Sequence, residues 1–191
     1  MERKVVQQAQ RYFLTGVSMI TSVGSNGKNV MAAEWTMQIS HKPMLIAVFI
    51  HEGSNTLENI METKEFGVNI SSEEQTTAVS ISGGHSRKEI DKLSISDSFR
   101  LIKSKKIKSP LIAECIINAE CKLLITKRIG DHIMIVGKAV SIRYDKTKKP
   151  LVYHQGRYFR IGPPIQPIRH EVKVDQKILN LFQNDAKKNL F

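Results

Sequence analysis

The chain has 191 residues, 29 basic against 18 acidic, and a formal net charge of +11. Its 41% hydrophobic and 25% charged content describes one globular domain, or one with a tail, and excludes a disordered tract or a collagen-like repeat. The longest apolar run, Met44 to Ile50, is far shorter than the roughly 20 residues that a membrane-crossing helix needs, and no apolar stretch precedes a cleavage site near Met1, so a cytoplasmic protein without a membrane partner is expected.

From Glu2 to Phe13, the helical spacing of Val5, Val6, Ala9, Tyr12 and Phe13 predicts an amphipathic helix, stopped at Gly16. Val17 to Val23 is short and β-branched, and Ser25-Asn26-Gly27-Lys28 carries the Asn-Gly pair favoured in type I′ hairpins. Asn29 to Ser40 then alternates as a single strand. Met31, Ala33, Trp35, Met37 and Ile39 fall on a core face, and Ala32, Glu34, Thr36, Gln38 and Ser40 on a free polar one. Core packing is therefore expected of Trp35, the only tryptophan.

Pro43 marks a loop before Met44 to Ile50, whose unbroken hydrophobicity predicts a strand buried on both faces. Ser54-Asn55-Thr56 reads as the capped start of a helix, Phe66 to Ile70 as a strand, and Glu73 to about Ser80 as a second helix running into Ser82-Gly83-Gly84-His85-Ser86-Arg87. Cys115 to Ile129 and His132 to Arg143 form a long hairpin turning at Gly130-Asp131. Gly162 to Pro167 is a connector, and Val174 to Phe182 has the offsets of a short helix.

The chemistry narrows by exclusion. No Gly-x-Ser-x-Gly elbow, no Rossmann glycine pattern and no Walker loop is present. The six histidines show no pairing at ligand spacing and Cys115 and Cys121 form no CxxC, so no metal is expected and both thiols are expected to be buried and free. The basic run Arg100 to Lys108 has only Phe99 for base stacking and reads as a solvated loop, leaving a nucleic-acid-binding barrel as the minority reading. Two polar clusters remain, each ahead of a predicted helix: Ser54-Asn55-Thr56 and Gly83 to Arg87. They offer hydroxyls, helix N-terminal amides and a guanidinium, the combination that holds a phosphate.

The pieces fall in a familiar order: Gly16-Val17 through Thr21-Ser22, Asn29 to Thr36, Ile39 to Val48, Ser54-Asn55-Thr56, Glu65 to Asn69, Ser86 to Lys92, and Gly130-Asp131-His132 with Val136-Gly137. Over about Phe13 to Gly162 this order resembles the flavin reductase-like proteins with an FMN-binding split β-barrel, which include the flavoredoxins. The resemblance implies a mainly β fold with peripheral helices, residues 1–162 forming the split barrel and 163–191 a connector and short helix that packs on the body or on a dimer partner. It implies FMN lying along Asn29, Met31, Ala32, Ala33, Glu34, Trp35 and Thr36, with its phosphate held by Ser54, Asn55, Thr56, Ser86 and Arg87. His132 looks like the family histidine near the flavin, His154 is a second catalytic candidate, and Tyr153 and Tyr158 are placed on the substrate side.

Where the family often has Thr or Ser this chain has Ala32, and Glu34 replaces a small hydroxyl residue. A carboxylate there would accept a hydrogen bond from the ring imide or disfavour the anionic reduced flavin. The implied activity is hydride transfer from NADH or NADPH to the flavin and on to a small-molecule acceptor, by a homodimer. The alternative within the same fold is a flavoredoxin-like electron carrier with little nicotinamide activity.

Overall fold

The computed structural model describes residues 3–95 and 97–165. Helix α1 (Arg3–Ala9) passes through a short 3₁₀ turn and ends at Phe13, so Gly16 is not its stop: it lies in strand β1 (Thr15–Gly16). Strands β2 (Ser18–Ser22), β3 (Asn29–Ala33), β4 (Thr36–His41), β5 (Met44–His51) and β6 (Glu65–Ile70) follow, with helix α2 (Asn55–Thr63) between the last two. After helix α3 (Thr76–Gly84) come the short pair β7 (Leu101–Ile102) and β8 (Leu111–Ile112), then β9 (Ile117–Ile129), β10 (His132–Tyr144), β11 (Leu151–His154) and β12 (Arg157–Arg160).

Seven strands form one antiparallel sheet in the order β3-β2-β6-β9-β10-β5-β4. Its edges, β3 and β4, are consecutive in the chain and joined only by Glu34-Trp35, where the Phe49 N–H donates to the Trp35 carbonyl at 3.0 Å. The sheet thus curls into a split barrel. Register slips on β10 at Val136/Gly137 and Ala139/Ser141 bend the long hairpin. Gly137 is required there, since a Cβ would lie 2.5 Å from the ring of Phe66.

Alternation sorts the core into two layers. Ile20, Val48, Ile50, Phe66, Val68 and Ile135 pack inside the barrel, while Met19, Val30, Val79, Ile112 and Leu151 pack outside it, beneath α3 and the β1-β11-β12 sheet. Cys115 and Cys121 are free and buried, and burial pushes each thiol up to about 12.

Three local expectations are corrected. Asn29 to Ser40 is two strands, because at Glu34-Trp35 the chain leaves β2 and joins β5 on the opposite edge. The alternation therefore does not carry through, and Trp35, Met37 and Ile39 are 48%, 67% and 50% exposed instead of lying in the core. The turn before β3 is not type I′, since Gly27 has a positive φ and Asn26 does not; the Asn26 amide instead donates to Glu58 on α2. Helix α3 begins after Gln75, not at Glu73. The Gln75 side chain accepts the Ser72 N–H at 3.0 Å and donates to the Ala113 carbonyl at 2.9 Å, holding 72–75 as a turn. The helix expected over Val174–Phe182 lies outside the described residues.

Candidate functional site

Two adjoining cavities open where β3 meets α2 and α3. The smaller, about 400 Å³, is lined by Asn29, Met31, Ala32, Ser54, Asn55 and Thr56 on one side and by residues 82–89 with Lys92 on the other. Ser54 caps α2, accepting the Thr56 N–H at 3.2 Å, so the amides of the first turn and their partial positive charge face this space. Asn29 donates to the Thr56 hydroxyl at 2.9 Å, while its own buried Oδ1 has no partner.

Across the cavity, Ser86 and Glu89 close a reciprocal capping turn: the Ser86 N–H donates to the Glu89 carboxylate at 2.9 Å and the Lys88 N–H donates to the Ser86 hydroxyl at 3.2 Å. This turn presents Arg87, which pairs with Asp91 at 3.3 Å and keeps a buried Nε–H without an acceptor. Because α3 runs to Gly84, the stretch Gly83 to Arg87 lies at the C-terminal end of a helix, not ahead of one as expected. The helix N-terminal amides at this site come from α2.

The larger cavity, about 840 Å³, shares Met31, Ala32, Gly83 and Gly84 with the smaller. A Cβ on Gly83 would come within 3.3 Å of the Ala32 methyl, so the shared wall is formed by close backbone approach. Its other walls are Ala33, Glu34 and Trp35, then Phe49 and His51 of β5, Asp131 and His132 at the long hairpin, and Tyr153 and Tyr158. Trp35 packs on His132 with ring centroids 4.6 Å apart, and His51 stands edge-on to His132 at 5.6 Å. His132 Nδ1 is 2.7 Å from the Asp131 carboxylate, and that hydrogen bond is the main cause holding the Asp131 carboxyl below its usual range.

Partial burial raises the Glu34 carboxyl above its ordinary range. Burial, and then the charge of Glu34, raise Tyr153, whose ring stands 5.5 Å from that of Tyr158, itself hydrogen-bonded to Ser80 at 3.3 Å.

Most residues singled out in the sequence thus line one cavity or the other. His154 lines neither. It follows Tyr153 on β11, so alternation turns it away, and its ring packs against Tyr12 and Phe159 at 6.2 Å each. Thr36 also lines neither, because β4 starts there and its hydroxyl is buried beside β5. Sequence reasoning assigned no role to Lys92, His51 or Asp131. His51 had one usable signal, a polar residue closing an otherwise apolar strand; Lys92 and Asp131 lay in two stretches that carry the resemblance, Ser86 to Lys92 and Gly130-Asp131-His132, but local pattern alone reads a lysine in a polar run as solvated.

Residues 10–162 match the family model described as flavin reductase like domain. An uncharacterized protein of Archaeoglobus fulgidus is 31% identical over 152 residues, covering 78% of this chain and 83% of that one. The flavin reductase (NADH) of Kitasatospora aureofaciens is 26% identical over 152 residues, covering 76% and 75%. Among solved structures, the NADH:FAD oxidoreductase of Streptomyces globisporus C-1027 superposes with a TM-score of 0.77 at 21% identity, covering 85% of this chain and 95% of that one. The flavoredoxin of Methanosarcina acetivorans gives 0.73 at 21% identity, covering 85% and 94%. At that identity the two structures establish a shared fold.

Proposed function

The chain belongs to the flavin reductase-like family, and from that premise we propose that it is an NAD(P)H-dependent flavin reductase that holds FMN across the two cavities. The observation that carries this reading is the junction of a small cavity rich in anion-binding donors with a larger one walled by aromatic rings.

The residues fit the group. The α2 amides, the Ser54 and Thr56 hydroxyls, Ser86 and the uncommitted Nε–H of Arg87 suit a terminal phosphate, and the orphaned Asn29 Oδ1 awaits a donor. Ala32 and Gly83 meet in close approach as a wall common to both cavities, so that β3 runs along the two and suits a flat ring system lying on that strand. Bound flavin supplies the hydride-accepting and electron-releasing chemistry.

The protein then positions and shields. Trp35, His132, Tyr153 and Tyr158 bound the larger cavity and leave room for a nicotinamide to lie flat within it. Asp131 holds Nδ1 of His132 and so fixes the ring that lines the larger cavity. A net charge of +11 attracts two anionic cofactors. A homodimer in the cytoplasm is part of the same proposal. One further observation favours the dimer: Trp35, Met37 and Ile39 form an exposed apolar stripe on and beside an edge strand.

The test is the visible spectrum of the purified chain after FMN addition and removal of excess, followed by anaerobic NADH and NADPH. Retained bands that bleach with a nicotinamide are the expected result. Retained bands that persist would replace the reductase with a flavoredoxin-like carrier. A colourless protein whose nucleic-acid binding falls steeply with salt would replace both with the binding barrel.

A further inference from the structure

Arg11 brings a cation to the wall of the larger cavity. It sits in the 3₁₀ turn (Gln10–Tyr12) that follows α1, and it lines the larger cavity but not the smaller. Two features hold it there. The Gln155 N–H, in the turn between β11 and β12, donates to the Arg11 carbonyl at 2.9 Å, and the guanidinium lies over Gly156, where a Cβ would come within 3.1 Å of Nη2. Gly156 has a φ of +78°, so the turn favours glycine and at the same time leaves the slot that the guanidinium fills.

None of the ion pairs among the described residues takes Arg11. Two carboxylates line the same cavity, and Asp131 is bound to His132. The other is Glu34. Burial and then Glu34 push the Tyr153 hydroxyl up, and Arg11 opposes them, so the guanidinium and Glu34 act on one ring of the cavity without pairing with each other.

A guanidinium stays charged at every working pH and offers five N–H donors in a planar fork that matches phosphate oxygens. On the flavin reading, the FMN phosphate goes to the smaller cavity, in whose wall Arg11 has no part. The adenylate half of a longer flavin leaves from that same phosphate and hence from that same end. An anion that reaches Arg11 is therefore one attached to the second ring in the larger cavity, the nicotinamide, whose riboside continues into a pyrophosphate.

We propose that Arg11 recognises the pyrophosphate of the nicotinamide dinucleotide and so selects dinucleotide hydride donors over donors without phosphate. The inference rests on the reductase reading of the site. Arg11 takes no part in the hydride step: it strengthens binding in the ground state and the transition state alike, which lowers the donor concentration needed and leaves the limiting rate as it is.

The test mixes the FMN-loaded full chain anaerobically with NADH, NADPH or N-benzyl dihydronicotinamide, which carries the same reacting ring without phosphate. Bleaching of the flavin band gives a limiting rate and a half-saturating concentration for each donor. Arg11→Met is expected to raise the half-saturating concentration about tenfold for NADH and for NADPH, and by less than about twofold for the benzyl donor. Arg11→Lys, which keeps the charge and loses the fork, is expected to raise it about threefold for the dinucleotides. Calorimetry with oxidised NAD, which delivers no hydride, is expected to show the same loss of about tenfold in Arg11→Met, while FMN affinity within about twofold of wild type shows that the variant is folded.

A loss confined to NADPH overturns the assignment to the pyrophosphate, because the extra phosphate of NADPH alone would then be read. An equal loss for every donor overturns it as well, reducing Arg11 to a support of the wall. Unchanged NADH dependence in Arg11→Met overturns the role of Arg11 and leaves the reductase reading standing, whereas wild-type bound FMN that neither dinucleotide bleaches overturns that reading and the inference with it.

Discussion

At the scale of single residues, Glu34 and Lys92 carry charge in opposite senses beside the same proposed ligand. Glu34 lines the larger cavity, and partial burial makes its negative form harder to hold. A carboxylate at that place opposes added negative charge on a reduced ring. Glu34→Gln in the FMN-loaded chain is therefore expected to raise the midpoint potential by about 30 mV, a tenfold change for a two-electron couple. Potentiometric titration checks it, and an unchanged potential would sink the electrostatic role. The ligand-free protein offers a separate readout at Lys92. Burial brings its folded value down to about 8 from the ordinary 10.5, so between those values the unfolded chain binds more protons and stability rises with pH. Urea denaturation should show wild type gaining about 3 kcal/mol relative to Lys92→Met from pH 7.5 to pH 10.5. Parallel pH profiles for the two chains would contradict a buried, destabilised ammonium.

At the scale of elements, the basic loop shows how far the sequence could be read. Arg100 to Lys108 is exposed at Lys103, Lys105, Lys106 and Lys108, as a solvated loop should be, but its backbone is wrapped around buried carboxylates. Glu120 of β9 accepts the N–H groups of Lys105, Lys106 and Ile107 at 2.9, 2.5 and 3.2 Å, and Glu65 of β6 accepts that of Lys108. Burial pushes the Glu120 carboxyl up, and the backbone donors outweigh it, holding it below 4.5. Its contribution to stability is thus complete above pH 4.5 and is lost as pH falls through the lowered value. Glu120→Ala leaves three donors unsatisfied and should cost about 2 to 4 kcal/mol in urea denaturation, with faster tryptic cleavage at Lys103 to Lys108; Glu120→Gln, which keeps an acceptor, should lose less. Equal stability of Glu120→Ala and wild type would refute the clamp.

Such long-range partners leave no trace in local pattern. Hydrophobic period and turn chemistry located α2 with its Ser54 cap, β5, β6 and the long hairpin, because each is determined by near neighbours. They missed the break at Glu34-Trp35, because alternation reports the two sides of a ribbon and not which strands pair with it. They missed the shifted start of α3 because a glutamine side chain bonding to Ala113, 38 positions away, holds the preceding turn. For the site, the clusters at Ser54 and Ser86 were visible as capping chemistry. Their meeting in one cavity, and the arrival of Lys92 there, depend on the curl of the whole sheet.

At the scale of the whole molecule, the split barrel presents an apolar surface that its other described residues do not cover. Among the described residues, β4 is an edge strand with no neighbour along its outer side, and it carries Met37 and Ile39 exposed; Leu124 of β9 and Tyr144 of β10 are 55% and 68% exposed. An open edge with apolar side chains invites pairing unless a partner covers it. In the proposed homodimer a second copy of the chain would supply the matching surface under two-fold symmetry, each residue of the patch meeting the same patch on its partner. Because Trp35 both lines the larger cavity and adjoins this strand, covering the strand would also wall the cavity. The full chain is therefore expected to sediment at twice its 21.6 kDa, and Met37→Asp, which buries a carboxylate in that contact, to sediment at the single-chain mass with flavin affinity lowered by about tenfold. A wild-type chain that sediments singly at micromolar concentration would refute the dimer. A single-chain Met37→Asp with undiminished flavin affinity would instead separate the cavity from the contact, showing that Trp35 completes its wall without a partner.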